Sequence, residues 1–111
     1  SEPLSGMIQR VIAADLGYNL PKAVVKPRLS AREDFKYLVQ IEIGRFDGSW
    51  NKTADLDAWW TITGNNGNVL LQQKSSLSAP LGEGYDALVQ AQSRLLAELA
   101  AQIAPAIARL R

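Results

Sequence analysis

Histidine and cysteine are both missing from the 111 residues. Without an imidazole or a thiol the chain cannot build a Ser-His-Asp or Cys-His nucleophile, a disulfide, or the usual zinc site. Most hydrolase templates fall away, and the expectation is a non-enzyme with no cofactor and no metal. Net charge is also nearly absent: twelve Lys and Arg stand against eleven Asp and Glu, a formal balance of +1. Such a chain generates no broad field to hold a polyanion, so no nucleic-acid partner is expected. No apolar run approaches the roughly 18 residues needed to cross a bilayer. The N-terminus lacks the basic-then-apolar layout of a signal peptide. Ser1-Glu2-Pro3-Leu4 leads straight into an amphipathic run, which gives the expectation that a segment once preceded it.

What is present is ample material for a core. Apolar residues make up 47% of the chain, and a length of this order fits one domain, here expected over residues 1–111. Leu4, Met7, Ile8, Val11, Ile12 and Leu16 recur at spacings of three and four, predicting an N-terminal helix that fades between Gly17 and Asn19. After Pro21, the short β-branched run Ala23-Val24-Val25 reads as a first strand stopping before Pro27. Residues 35–46 alternate, with Phe35, Tyr37, Val39, Ile41 and Ile43 on one side and Lys36, Gln40 and Glu42 on the other. A second alternating run places Ala54, Leu56, Ala58, Trp60 and Ile62 on one face. Asn66-Gly67 then supplies the tolerance for positive φ that a tight turn needs, so residues 69–78 should return antiparallel. Tyr85, Val89, Leu96, Leu99, Ile103, Ile107 and Leu110 predict a long final helix in which Pro105 introduces a kink. The fold class is therefore α/β, with a mixed, largely antiparallel sheet of about four strands in the order helix-strand-strand-strand-strand-helix.

Candidate chemistry is sparse. Asp55 and Asp57 project from one strand face, but a calcium site needs about six oxygen ligands, and a solvated face is the expectation. Gly82-Glu83-Gly84 lacks the Lys-Ser/Thr pair of a phosphate loop and reads as the turn into the final helix. Asn51-Lys52-Thr53 matches a glycosylation sequon and indicates at most a surface loop. The informative features concern contact. Trp60 belongs to the apolar face, whereas Trp59 points the opposite way, and Trp50 lies in a polar connection. Exposed indoles can anchor a partner, since they combine large apolar area with a polar N–H. Between Lys22 and Lys36 lies a local basic excess that includes Lys26, Arg28 and Arg32, and Ser30 followed by Glu33 fits one capped turn there. Trp50, Trp59, Lys26, Arg28 and Arg32 are the candidate partner-binding residues.

The order of several short segments carries a family resemblance. Glu2-Pro3-Leu4 opens a helix, a strand ends in Gly44-Arg45-Phe46-Asp47-Gly48, and Ala54-Asp55-Leu56-Asp57-Ala58-Trp59-Trp60-Thr61-Ile62 forms the next. Tyr85-Asp86-Ala87-Leu88-Val89 then begins the final helix. Together they resemble the PqiC-like, ABC-type transport auxiliary lipoproteins, over nearly the whole chain. The resemblance implies a three-layer α/β/α sandwich similar to the N-terminal domain of TolB. It also implies a periplasmic protein tethered by an N-terminal lipidated cysteine, at the outer membrane, that assists an MCE-type lipid-transport system. The implied partners are an MCE-domain protein or another transporter component, with lipid and a second copy of the chain as further candidates. The lipid-bearing cysteine and the family's upstream strands are not in this sequence, so it is expected to be the C-terminal part of such a domain. A missing strand would leave an open sheet edge. The competing expectation is a protein-interaction module of the periplasm with no role in lipid handling.

Overall fold

A computed structural model describes residues 2–28, 34–49 and 52–110. In chain order they form helix α1 (Glu2–Asn19), strands β1 (Tyr37–Gly48), β2 (Thr53–Gly64) and β3 (Val69–Pro80), and helix α2 (Tyr85–Leu110). The chain divides into two compact units, one of Asp34–Leu95 and one of Ser1–Glu33 with Leu96–Arg111. The α2 helix begins in the former and ends in the latter.

In the unit of Asp34–Leu95, the strands form an antiparallel sheet in the order β1-β2-β3. β2 is central, and its even-numbered residues Ala54, Leu56, Ala58, Trp60 and Ile62 are 0–2% exposed. The inner partners are Ile43, Ile41 and Val39 on β1 and Ala79, Leu77, Ser75 and Leu71 on β3. Each strand carries alternate residues to opposite faces, so the period-two pattern of the sequence becomes one apolar and one polar face. The Trp60 indole N–H would be stranded in this core, and it donates to Ser75 Oγ at 2.9 Å. Two irregularities adjust the ladder. Gly44 is an extra residue between Ile43 and Arg45, and Leu70 is an extra residue in β3 between the partners of Thr63 and Ile62. The first of these moves Phe46 onto the inner side, opposite Leu56.

The expected four-stranded sheet is corrected to three strands among the described residues. Ala23-Val24-Val25 lies in irregular backbone, with Val24 88% exposed and the Ala23 N–H turned back to Leu20 O at 2.9 Å. β-branched residues favour a strand through the neighbours they pack against, and a three-residue run between Pro21 and Pro27 finds none. The turn at Ser30–Glu33 falls outside the described residues.

The β2–β3 connection is a three-residue loop, Asn65-Asn66-Gly67. Gly64 N–H donates to Asn68 O at 2.9 Å, Gly67 N–H donates to Gly64 O at 3.0 Å, and Gly67 has φ +85. Asn68 N–H is held by Asn66 Oδ1 at 3.1 Å. A left-handed third residue matches this loop to strand twist. At the other end Gly84, with φ +95, accepts from Leu88 N–H at 3.2 Å and starts α2. Leu81 and Leu88 close over the backbone of Gly48 there.

In the other unit, α1 buries Ile12 and Leu16, followed by Leu20, while Met7 is half exposed. From α2 this unit buries Leu96, Leu99, Ala100, Ile103, Ala104 and Ala106. Four assignments to the final stripe change: Tyr85 and Val89 are exposed and Ile107 and Leu110 only half-buried, while Ala91 and Leu95 are buried instead. The helical run continues through Pro105 to Leu110. Helix interiors tolerate such a loss of one donor only where packing offsets it, and here Ile103, Ala104 and Ala106 are all buried around it.

Replacing Gly67 by Val forces a β-branched residue into a left-handed backbone, and it should destabilise the protein although Gly67 has no neighbour within 4 Å of an added Cβ. Leu99→Ala, at a fully buried site, should cost about 2–5 kcal/mol. Denaturant unfolding of both variants measures these losses. Parent-like midpoints would contradict the turn and the stripe respectively.

Candidate interaction surface

The odd-numbered residues of β2 build the opposite face of the sheet. Rows run across the strands as Gln40-Thr61-Gln72, Glu42-Trp59-Lys74, Arg45-Asp57-Ser76 and Asp47-Asp55-Ser78. Trp59 stands at the centre of this face and is 45% exposed. Its ring lies across the backbone of Gly44, where a Cβ would overlap it. Gly44 is the extra residue of the β1 bulge, so the absent side chain provides the seat for the indole. On the other flank, Lys74 Nζ sits 4.8 Å from the ring centroid. That is cation–π range. A shallow, open depression of about 310 Å³ lies over the β2–β3 step, lined by Trp59, Trp60, Thr61, Gln72, Gln73 and Lys74.

Beyond Trp59 the face is charged. Arg45 Nε donates to Asp47 Oδ1 at 2.8 Å, and Arg45 Nη2 lies 3.4 Å from Asp55 Oδ2. The Asp47 hydrogen bond and charge, with the charges of Asp55 and Asp57, push the guanidinium above its ordinary value. Asp55 also accepts from Thr53 Oγ1 at 3.1 Å and from Ser78 Oγ at 2.9 Å. Asp55 is thus engaged by arginine and hydroxyls, and no group of acidic side chains among the described residues is arranged to hold a metal. Burial pushes the Asp15 carboxyl up, but Asp15 belongs to α1 and to the other unit.

Of the sequence-derived candidates, Trp59 is displayed as expected. Lys26 and Arg28 are exposed and belong to the unit of Ser1–Glu33 with Leu96–Arg111, whereas Trp59 belongs to Asp34–Leu95. Trp50 and Arg32 fall outside the described residues. The face around Trp59 carries Glu42, Asp47, Asp55 and Asp57 against Arg45 and Lys74, an acidic balance in place of the basic run. Gly44, Lys74 and Arg45 define the surroundings of the indole and were not among the candidates.

This geometry couples residues 44 and 59. Gly44→Ala should displace the Trp59 ring and cost about 1–3 kcal/mol. The loss should shrink when Trp59→Ala is already present, so a double-mutant cycle in denaturant unfolding should show clear coupling. Strict additivity would mean that the ring is not seated on this glycine.

Comparison with known proteins follows the same outline. No curated protein matches the sequence. A solved structure of an uncharacterized protein superposes with a TM-score of 0.74 at 21% identity, covering 86% of this chain and 61% of the other. A candidate lipoprotein from Caulobacter crescentus CB15 gives a TM-score of 0.68 at 16% identity, covering 91% and 80%. The chain thus spans 61% of the length of the first of these proteins, and at such identities the likeness is one of fold. The sequence also matches the family model described as ABC-type transport auxiliary lipoprotein component over residues 1–104. Because that match runs from the first helix deep into α2, the chain belongs to the ABC-type transport auxiliary lipoprotein component family, an accessory group rather than a known enzyme family.

Proposed function

We propose that this chain is the folded part of a periplasmic accessory lipoprotein that serves an MCE/ABC-type lipid-transport system and helps maintain or bridge the bacterial envelope. The observation that carries this reading is the family match over residues 1–104. It is supported by a chain without histidine or cysteine that nevertheless exposes a seated tryptophan on a sheet face. Its work is contact. In this reading a lipidated segment upstream of the sequence tethers the protein to the outer membrane. Additional upstream strands complete a three-layer α/β/α sandwich, of which residues 1–111 form part of one domain.

Trp50 and Trp59 supply apolar anchors for an MCE-domain protein or another transporter component, and a ring already held by Gly44 and Lys74 loses little freedom on binding. Lys26, Arg28 and Arg32 act on a different term. Exposed charges steer approach to an acidic protein or lipid surface over about 8–10 Å at physiological salt. The two sets therefore separate by their response to ionic strength.

Binding of the full-length lipoprotein to its MCE-type partner should weaken at every salt concentration when Trp50 and Trp59 become Ala. Changing Lys26, Arg28 and Arg32 to Gln should chiefly slow association at low salt. Stopped-flow and pull-down measurements, with unfolding curves as a control for Trp59, read both effects. Unaltered binding after both sets of changes would remove these residues from the contact. Lipid extraction from the purified complex addresses the other half: protein binding without any copurifying lipid would favour a protein-interaction module with no lipid role.

A further inference from the structure

The charges that share the outer face with Trp59 are not equally engaged. Arg45 is held by Asp47 and Asp55. Glu42 stands directly across from Trp59 on β1, and Asp57 lies two residues before it on β2, so both carboxylates flank the indole on the same side of the sheet. Glu42 is exposed and forms no ion pair with another described residue. The remaining cation of these rows is Lys74, whose ammonium has one partner among the described residues, the Trp59 ring at 4.8 Å.

The four rows that contain these residues are polar at every position except Trp59. A face covered by a further layer of its own chain carries apolar side chains, because burying this many polar groups would strand them. Upstream strands extend a sheet at an edge and leave such a face open.

We propose that the Trp59 face receives an arginine of the partner protein, stacked on the indole and paired with Glu42, and that Lys74 holds this place in its absence. The proposal rests on Trp59 being a contact residue, as above, and adds the chemistry that it contacts. An indole that already attracts an ammonium offers its ring quadrupole to a cation. A guanidinium is planar, so it can lie on the ring and still direct a fork of N–H donors at a carboxylate beside it. The compact ammonium of Lys74 makes the first contact without the second. It is also displaceable, since the lysine is exposed and has no ion pair to break among the described residues. The carboxylates favour a basic protein segment over a phospholipid head group, whose phosphate would come up against Glu42, Asp55 and Asp57.

The test follows the Trp59 indole N–H resonance of the full-length lipoprotein, assigned with Trp59→Phe, during titration with the blocked peptide Gly-Arg-Gly-Arg-Gly. A control peptide carries citrulline in place of arginine, which removes the charge and keeps the shape. The arginine peptide should shift the resonance, and the citrulline peptide should not. Glu42→Gln should weaken binding about fivefold by removing a charge-assisted pair. Lys74→Gln should strengthen it by vacating the ring, whereas an anionic ligand would need the lysine and bind less well. Both side chains are exposed, so neither variant loses a buried contact and both should fold. Equal shifts with the two peptides, parent-like affinity in Glu42→Gln, or weaker binding in Lys74→Gln each overturns the proposal. A shift produced by phosphatidylethanolamine–phosphatidylglycerol vesicles and not by the arginine peptide overturns it in favour of a lipid head group. The wider reading is tested apart from this one. If Trp59→Ala weakens binding of the MCE-type partner while the arginine peptide leaves the resonance unmoved, the face is a contact and the arginine proposal alone fails. If Trp59→Ala binds that partner as the parent does, the contact lies elsewhere and both fail.

Discussion

The central position of β2 is the constraint from which the sheet unit follows. A strand with neighbours on both sides must satisfy two ladders at once, and its inner side chains are the hardest in the unit to keep hydrated. The sequence meets this with Ala54, Leu56, Ala58, Trp60 and Ile62, small and large in alternation, all at or below 2% exposure. Small residues beside the bulky ones allow close packing without overfilling, which matters because cores are packed as densely as organic crystals. The one polar atom this arrangement must bury, the Trp60 indole nitrogen, is answered by Ser75 on the neighbouring strand. Leaving that donor unpaired would cost about 1–3 kcal/mol. Ser75 is accordingly a core residue in spite of its chemistry.

Fixing the inner face also fixes what the outer face can do. Because side chains alternate, the register that buries Trp60 sends Trp59 outward, with no freedom to choose otherwise. An outward indole on a sheet would normally lie over side chains of the adjacent strand. Here the β1 bulge puts a glycine beneath it, and the ring rests on backbone, flanked by Lys74. A side chain held in this way is a structural cover, and in the proposed function it is also a preorganised contact. Those roles do not compete, since covering Gly44 uses one side of the ring and leaves nearly half of the residue exposed.

Much of this was legible from sequence, and the reasons for the gaps are physical. The alternating runs, the Asn-Gly turn and the two helical periodicities each encode local geometry, and the corresponding elements form. Ala23-Val25 offered β propensity without length or partners, and propensity of that kind yields to context. Val89 shares a helical period with Leu96 and Leu99, yet spacing alone cannot say where a buried stripe begins. The bulge did leave a trace, because Ile43 and Phe46 differ in parity and an inward-facing strand can accommodate both only by inserting a residue. Gly44 lies between them. Lys74 could be reached only through the pairing itself: the loop after Gly64 alone would set position 59 against position 73, and the extra residue Leu70 moves its partner to position 74.

The charged half of the outer face illustrates how the same residues read differently alone and in place. Asp55 and Asp57, two apart on a strand, suggest a cation site only until their neighbours are known. Arg45 comes across from β1 because the bulge has shifted its parity, and Ser78 comes from β3. The cation beside Asp55 is covalently part of the chain, so that carboxylate is not a free ligand. Surface ion pairs of this exposure add little to stability. Their effect is on the character of the surface, since they leave an acidic balance next to an exposed indole in a protein whose overall charge is near zero. In the proposed accessory role, this acidic surface beside the seated indole is the part of the sheet unit offered for contact.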